Sequence, residues 1–416
     1  MRCISCIGPA DQGEMRFCRD DQCVVTSLVH EAVWRLWQPD EMILVIRDPR
    51  EAHIASACES RGIQVQKLWI PEGTGRDDLW ETFTLLGEVA KPGEEILFDI
   101  TGGCHAIPFI IAHAAVYLKE VRKVRISGII YATVPDEHGL RHFADLLPLT
   151  GVNDWISGVK SLNESADAAP LGILMNGLQR HIHRDPAEPD PPTRLSSWSS
   201  LLGTFMAAVR LSRPVDALYA GWGIIRDLPG VREEIHRFAP ALSPIIDTIE
   251  PIRAMAAPPP KEGLSPGYLL KQLILVRYQI EKGLDFQAAS LSREWLISCT
   301  ILLVGAGEEW LDAGTRHTAS RTLTGIVLTM QDKPADTTMY TPVLQSREGI
   351  REMAAIWERV SALRNDLAHC GMNQREETIR SIRRRSDGLP DDLIRFSILS
   401  GVITTEEAGI SVRDEP

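Results

Sequence analysis

The chain has 416 residues, of which 44% are hydrophobic and 24% are charged, as in a globular protein of two or three domains. Its formal net charge of −12 argues against a protein that coats nucleic acid, so an anionic ligand would need a local positive pocket. Its apolar runs are too short to span a membrane and residues 1–8 do not resemble a signal peptide, so we expect a cytoplasmic protein.

The first strand-like segment carries part of a cysteine cluster. The chain has eight cysteines without the pattern of a disulfide framework, which fits a reducing compartment. Cys3, Cys6, Cys18 and Cys23 could hold zinc as two pairs. However, Cys3 and Cys6 fall in an apolar run that is typical of a strand, where alternate residues face opposite sides. We therefore favour buried free thiols over a zinc site.

Residues 1–155 alternate between β-rich runs and helical stretches, which predicts a mostly parallel sheet with helices on both faces. Ligands of such sheets bind beyond the carboxyl ends of strands. One loop in that position follows the first strand and contains Gly8 and Pro9. The predicted strands are 3–7, 42–47, 63–69, 95–100 and 124–133, the predicted helices are 26–38, 50–61, 76–90 and 106–120, and 140–146 is predicted to add an antiparallel strand.

Two further segments are candidates for ligand contact. Thr26 and Ser27 lead into the first predicted helix and could cap it or touch a ligand, and we favour the cap. Near residue 100 a strand is followed by a turn and by a helix with Pro108 in its first turn. The turn consists of Thr101, Gly102, Gly103, Cys104 and His105.

The amides of this turn are expected to point outward beside the positive end of the following helix, which favours an anionic ligand. The alternative is a plain connection that uses glycine only for its backbone angles. The spacing of the glycines is not that of a dinucleotide-binding fingerprint or of a P-loop.

After residue 155 the pattern becomes helical. A loop at 185–192 and a linker at 257–267 are indicated by dense proline, which leaves a helical connector at 156–267 and a helical domain at 268–416. Late in that domain, Arg364, Asn365 and His369 lie in one amphipathic helix. Arginine offers a permanent cation that fits phosphate oxygens, and histidine titrates near neutral pH.

Helical geometry puts Asn365 and His369 on one face and Arg364 about 140° from His369. The two could therefore meet across two subunits, although Arg and His also co-occur by chance on solvated helices. A basic run follows, and we favour a solvated face for it over a contact with an RNA backbone. It consists of Arg380, Arg383, Arg384 and Arg385.

Three segments together resemble one protein family. The turn at 99–105 resembles the nucleotide-pocket motif of CRISPR-associated Rossmann fold (CARF) domains. Residues 364–369 resemble the Arg-x(4–6)-His motif of HEPN ribonucleases, and 285–296 resemble the helix that packs beside it. The resemblance implies an α/β plus all-α chain with a Rossmann-like CARF domain at 1–155, a helical connector at 156–267 and a helical HEPN domain at 268–416.

The resemblance implies a homodimeric effector of type III CRISPR defence that cuts single-stranded RNA without a metal. Its activator would be a cyclic oligoadenylate, the tetra-adenylate before the hexa-adenylate, bound by Gly8, Pro9, Thr26, Ser27 and the turn at 101–105. Arg364, His369 and Asn365 would be catalytic, and no cofactor is expected. Many relatives carry Lys or Arg where this chain has Cys104 and His105, which weakens any expectation that the sensor degrades its activator.

Two other functions fit the same motifs. The chain could be a CARF protein that binds its ligand and a partner without catalysis. It could also be a toxin-type HEPN ribonuclease that senses a different nucleotide.

Overall fold

The computed structural model divides the chain into two compact units, Met1–Asn153 and Asp154–Pro416. It describes residues 1–8, 13–73, 75–103, 106–372, 378–404 and 406. Among these residues no helix is both long enough and apolar enough to cross a membrane.

The first unit is an α/β fold around one sheet. Its strands are β1 (Arg2–Cys6), β2 (Met15–Arg19), β3 (Gln22–Thr26), β4 (Glu41–Ile46), β5 (Val65–Trp69), β6 (Glu95–Asp99), β7 (Arg125–Ala132) and β8 (Leu140–Asp145). Its helices are α1 (Val29–Trp37), α2 (Ala52–Glu59), α3 (Arg76–Glu88), α4 (Ile107–Glu120) and α5 (Leu147–Thr150), with a 3-10 turn at Pro49–Glu51.

The eight strands are ordered β3-β2-β8-β7-β6-β1-β4-β5. The five from β7 to β5 are parallel, as predicted, and β8 adds antiparallel to β7. Helices cover both faces because the central strands are apolar on both sides. Along β1, Ile4 and Cys6 join the core under α3 and α4, whereas Cys3 joins the core under α1 and α2.

A hairpin of β2 and β3 extends this sheet, and the sequence did not indicate it. The helix predicted at 26–38 begins only at Val29, because the residues before it form β3. The hairpin turn contains Asp20 in the left-handed region, with φ 49°. No glycine marks this turn, and the flanking strands carry charged residues, so neither standard signal of a hairpin was present.

The cysteine expectation is wrong for one pair. Cys18 and Cys23 are opposite each other in the hairpin, with their Cα atoms 4.2 Å apart, and form a disulfide. Cys3 and Cys6 are buried free thiols, as predicted. Burial, with a smaller effect of Asp99, raises the pKa of the Cys3 thiol well above its usual value, so it stays protonated and unreactive.

The second unit is helical and has one continuous apolar core. Its helices are α6 (Val152–Ser165, which starts at the unit boundary), α7 (Ala169–His183), α8 (Leu195–Arg210), α9 (Pro214–Phe238), α10 (Ser243–Asp247), α11 (Glu250–Met255), α12 (Pro266–Glu281), α13 (Asp285–Leu303), α14 (Ala313–Met330), α15 (Thr341–Gln345), α16 (Ile350–Ala368), α17 (Ile379–Asp387) and α18 (Leu389–Ser400).

The linker predicted at 257–267 is irregular but packed. Ala257 and Leu264 are buried, and the amide of Ala257 donates to the carbonyl of Leu218. Its prolines therefore interrupt the helices without separating two cores. The loop predicted at 185–192 is confirmed.

Candidate functional site

The carboxyl ends of β1 and β6 bring two of the predicted ligand loops together. These strands are adjacent and parallel, with Ser5 opposite Asp99. A Cβ atom on Gly102 would lie 2.2 Å from the Cys6 carbonyl oxygen and 2.4 Å from the Gly8 amide nitrogen. Since no side chain fits at that distance, both loops need glycine where they meet. We call the junction of these two loops the crevice. It lies at the carboxyl ends of parallel strands, where open α/β sheets bind ligands.

Asp99 fixes the shape of the second loop from inside the sheet. It is fully buried and accepts hydrogen bonds from the Ser5 hydroxyl (2.6 Å), the Thr101 hydroxyl (2.6 Å) and the Thr101 amide (3.0 Å). The Thr101 hydroxyl also accepts from the Ala132 amide at 2.9 Å. The amide and the hydroxyl of Thr101 therefore both hold the loop to the sheet, so the role of this hydroxyl is structural.

One amide of this loop differs from the expectation. The Gly103 amide donates to the Ile100 carbonyl at 2.9 Å, so it closes a turn and does not point outward to an anion. Helix α4 begins at Ile107 with Pro108 in its first turn, as predicted. Three further predicted ligand residues, Pro9, Cys104 and His105, lie outside the described residues.

Thr26 and Ser27 lie where α1 approaches the first loop. Thr26 is buried, accepts from the Leu28 amide (3.1 Å) and donates to the carboxylate of Glu31 (2.6 Å). The N-cap of α1 is Leu28 and no side chain caps this helix, so the expectation of a cap at Thr26 or Ser27 is wrong. Thr26 instead ties the segment before α1 to Glu31 in the first turn of the helix. Ser27 is half-buried and accepts from Arg61 at 3.5 Å.

Several buried polar residues support the crevice but were not predicted from the sequence. The first turn of α1 contributes His30, whose Nε2 lies 3.3 Å from the Cys6 carbonyl oxygen. The carboxylate of Glu31 also binds Arg61 at 3.0 Å. For Asp99 a signal existed: an acidic residue that ends an apolar strand, two positions before a threonine, is typical of an Asx turn.

We expect Asp99→Ala to lower the free energy of unfolding by about 3 kcal/mol, because it leaves the buried hydroxyl of Ser5 and the Thr101 amide without an acceptor. Urea denaturation monitored by intrinsic fluorescence measures this loss. Asp20→Ala, in the exposed hairpin turn, is the control and should change stability much less. Equal stability of the Asp99 variant and the wild type would contradict the assigned role.

An apolar cavity of about 1060 Å³ lies beside the second loop, on the α3 and α4 side of the sheet. Trp80, Phe83, Phe109 and Tyr117 are among the residues that line it. Trp80 is 61% exposed and Phe109 is 69% exposed. Aromatic residues this concentrated at a surface are typical of a contact face, so this side of the first unit is a candidate interface.

The second candidate site is at the carboxyl end of α16. Arg364 and Asn365 are in the last turns of the helix, and His369 follows its final residue. Asn365 and His369 are exposed, Arg364 is half-buried, and a guanidinium N–H of Arg364 donates to Asn365 Oδ1 at 3.2 Å. The chain then turns away through Cys370 and Gly371, which have φ of 56° and 71°. The guanidinium and the imidazole are thus presented at an open helix end.

The rest of α16 is held firmly by its neighbours. Trp357 is buried, donates to Thr324 of α14 at 3.3 Å and lies under the guanidinium of Arg293 of α13, 5.0 Å from the ring centre. Both α13 and α14 pack against α16. As predicted, Trp295 and Trp357 are core residues. The open end therefore projects from a rigid scaffold, as a site that positions reacting groups requires.

The arrangement offers acid–base and anion-binding chemistry. Arginine can hold two phosphate oxygens at once, and histidine can transfer a proton. Among the residues that the structure describes, no group of three or more His, Cys, Asp or Glu side chains is placed to hold a metal ion.

No protein-family model matches the chain. A CRISPR-associated protein of Methanocaldococcus jannaschii is 26% identical over 119 residues, which is 27% of this chain and 19% of that protein; the match spans about a fifth of the relative's length. A solved structure of Enterococcus italicus Csm6, bound to cyclic hexa-2'-fluoro-hexa-dAMP, aligns with 13% identity and a TM-score of 0.42 over 99% of this chain and 97% of that one. The matched relative is CRISPR-associated, which agrees with the resemblance of this chain to CARF–HEPN effectors of type III CRISPR systems.

Proposed function

We propose that the chain is a ribonuclease effector of type III CRISPR defence that a cyclic oligoadenylate activates in the cytoplasm. The observation that carries the proposal is the open end of α16, where Arg364, Asn365 and His369 reach solvent together. The crevice between the Gly8 and Gly102 loops supports the sensing part, because it lies at the ligand-binding edge of a parallel sheet.

The proposed reaction is an intramolecular attack within the RNA. The ribose 2'-oxygen forms a bond to the adjacent phosphorus, and the bond from phosphorus to the 5'-oxygen breaks. Arg364 stabilises the charge that grows on the phosphate oxygens. His369 transfers a proton to or from a reacting oxygen, and Asn365 orients the guanidinium that it contacts. These steps need no metal.

We propose that the active form is a homodimer. The apolar face around Trp80 and Phe109 borders the loop that carries Gly102. Its pairing with the same face of a second copy would place two such loops about one two-fold axis. A ring of adenylates has matching symmetry. In a homodimer the Arg364 of one copy can act with the His369 of the other, so their separation of about 140° around a single helix does not prevent a joint site.

The test is a titration of purified protein with cyclic tetra-adenylate, cyclic hexa-adenylate and linear adenylates against a fluorescent single-stranded RNA, in EDTA. We expect one ring to stimulate cleavage and to raise the melting temperature, and the linear forms to do neither. Thermal stabilisation by a ring without cleavage would favour the non-catalytic sensor. RNA cleavage that neither ring stimulates would favour a nuclease that senses another nucleotide.

A further inference from the structure

A basic groove lies between the end of α16 and the helices that follow it. Its volume is about 180 Å³, and Val360, Leu363 and Leu389 form its buried apolar floor. Polar residues at its edges include Arg359, Arg384, Arg385 and Asp392. Three guanidinium groups and one carboxylate leave the lining with excess positive charge. On a chain whose net charge is −12, such a local excess favours anions that the rest of the surface repels.

The charges of the groove are not equivalent. Arg359 forms an ion pair with Asp392 through two of its nitrogens, so its charge is largely compensated. Arg384 is exposed and has no ion-pair partner within the described part of the chain. An exposed guanidinium whose charge is not compensated is suited to a phosphate group.

Helix α17 holds these arginines in place. The hydroxyl of Thr378 caps its first turn by accepting from the Ser381 amide at 3.2 Å. Arg383 approaches Asp285 of α13, with 3.6 Å between Nε and Oδ2, and Ser386 is fully buried. The cap stabilises the start of the helix, and Arg383 and Ser386 attach its last two turns to the rest of the unit. The last-turn residues Arg384 and Arg385 line the groove.

The groove continues toward the candidate catalytic residues. Val360 lies one helical turn before Arg364 on the same side of α16, and Leu363 directly precedes Arg364. An anionic chain whose phosphate sits at Arg364 would therefore have its neighbouring phosphate within reach of α17.

We propose that this groove is a phosphate subsite, in which Arg384 holds the RNA backbone one nucleotide away from the bond that is cut and Arg385 adds positive charge beside it. This inference rests on the proposed function and deepens it. The arginines are positioning residues: they attract a phosphate that does not react and set the register of the strand on Arg364 and His369. They take no part in the proton transfer.

The test measures binding apart from cleavage. A fluorescent single-stranded RNA with 2'-O-methyl groups throughout cannot undergo the proposed attack, so its anisotropy reports affinity alone. We expect the full chain with Arg384→Gln and Arg385→Gln to bind this strand about tenfold more weakly. The slope of log K against log salt should also become shallower by about 0.7 for each phosphate that the protein no longer neutralises.

Two controls separate a phosphate contact from a change of fold. Arg380→Gln removes an exposed arginine of the same helix that does not line the groove, and it should leave affinity and slope nearly unchanged. Arg384→Lys with Arg385→Lys keeps both charges, and it should retain the salt slope. An unchanged slope in the glutamine variant, or an equally weakened affinity in Arg380→Gln, would overturn the inference.

The outcomes also distinguish this inference from the proposed function. If the glutamine variant shows weaker binding and a shallower salt slope but no activator elicits RNA cleavage, the phosphate subsite is supported and the ribonuclease proposal is refuted. If an activator elicits cleavage that needs Arg364 and His369 while the groove variants bind RNA like the wild type, the ribonuclease proposal is supported and only the phosphate subsite is refuted. If the wild type does not bind the methylated strand, the phosphate subsite is also refuted.

Discussion

His369→Ala and Arg364→Ala are each expected to lower activator-stimulated RNA cleavage by about a hundredfold to ten-thousandfold. The first removes the group that transfers the proton, and the second removes the cation that stabilises the phosphate in the transition state. His369 is exposed, and the half-buried Arg364 donates to the neighbouring Asn365. Single-turnover cleavage at saturating ring, followed by gel electrophoresis, measures both decreases.

The fold should survive both substitutions, because the buried face of α16 is formed by other side chains, among them Trp357, Val360 and Leu363. We expect changes in the free energy of unfolding within about 0.5 kcal/mol. Matched controls come from the same unit: Arg351→Ala removes an exposed arginine in the first turn of α16, and His317→Ala removes an exposed histidine of α14. Both controls should cut RNA like the wild type. Full activity in His369→Ala would exclude the proposed chemistry at this helix end.

The parallel strands were predictable because most of them, among them Glu41–Ile46 and Glu95–Asp99, are short and largely apolar runs separated by helical stretches. The hairpin was not. Met15–Arg19 and Gln22–Thr26 are only five residues each, lack a regular alternation of polar and apolar residues, and join through two aspartates. Such edge strands gain stability from the neighbouring β8, which is a long-range contact that no local pattern reports. The disulfide between Cys18 and Cys23 depends on this hairpin and was missed with it.

The two candidate sites differ in how much of their geometry can be predicted from the sequence. Arg364 and Asn365 lie in α16 and His369 directly follows its final residue, so helical periodicity alone nearly predicts their placement. Gly102 was predicted as part of an anion-binding turn. In the structure, glycine is required at this position because the backbone of Gly8 lies too close for a side chain. That contact exists only because β1 and β6 are neighbours in the sheet, and strand order is a property of the whole fold.

The basic groove is a similar case. As a sequence run its arginines are indistinguishable from a solvated helix face, which was the favoured interpretation. The structure separates them by their surroundings: Arg383 approaches Asp285, Arg380 is exposed away from the groove, and Arg384 lines it. The distinction depends on α17 folding back beside α16, which composition cannot report.

Gly102→Ala is expected to uncouple the sensor from its ligand. The new Cβ would meet backbone atoms at 2.2 and 2.4 Å, and a backbone atom cannot rotate away as a side chain can. The loops after β1 and β6 must therefore separate, which costs about 2–3 kcal/mol if the sheet stays intact. If that cost falls on binding of the ring, half-maximal activation would need about a hundredfold more ring. Basal cleavage should persist, because the residues at the end of α16 are unchanged.

Gly103→Ala tests whether this effect comes from the backbone contact or from any replacement of glycine in the turn. Its Cβ would lie no closer than 3.0 Å to the Ile100 oxygen and the Pro108 ring, so a shift of a few tenths of an ångström accommodates it. Activation curves for the two variants should differ at least tenfold in the ring concentration needed, with Gly103→Ala nearer the wild type. Equal responses would mean that the approach of the β1 and β6 loops does not shape the ligand site. The sensing crevice would then have to lie elsewhere on the first unit, because the close approach to Gly8 is what distinguishes Gly102 from its neighbour.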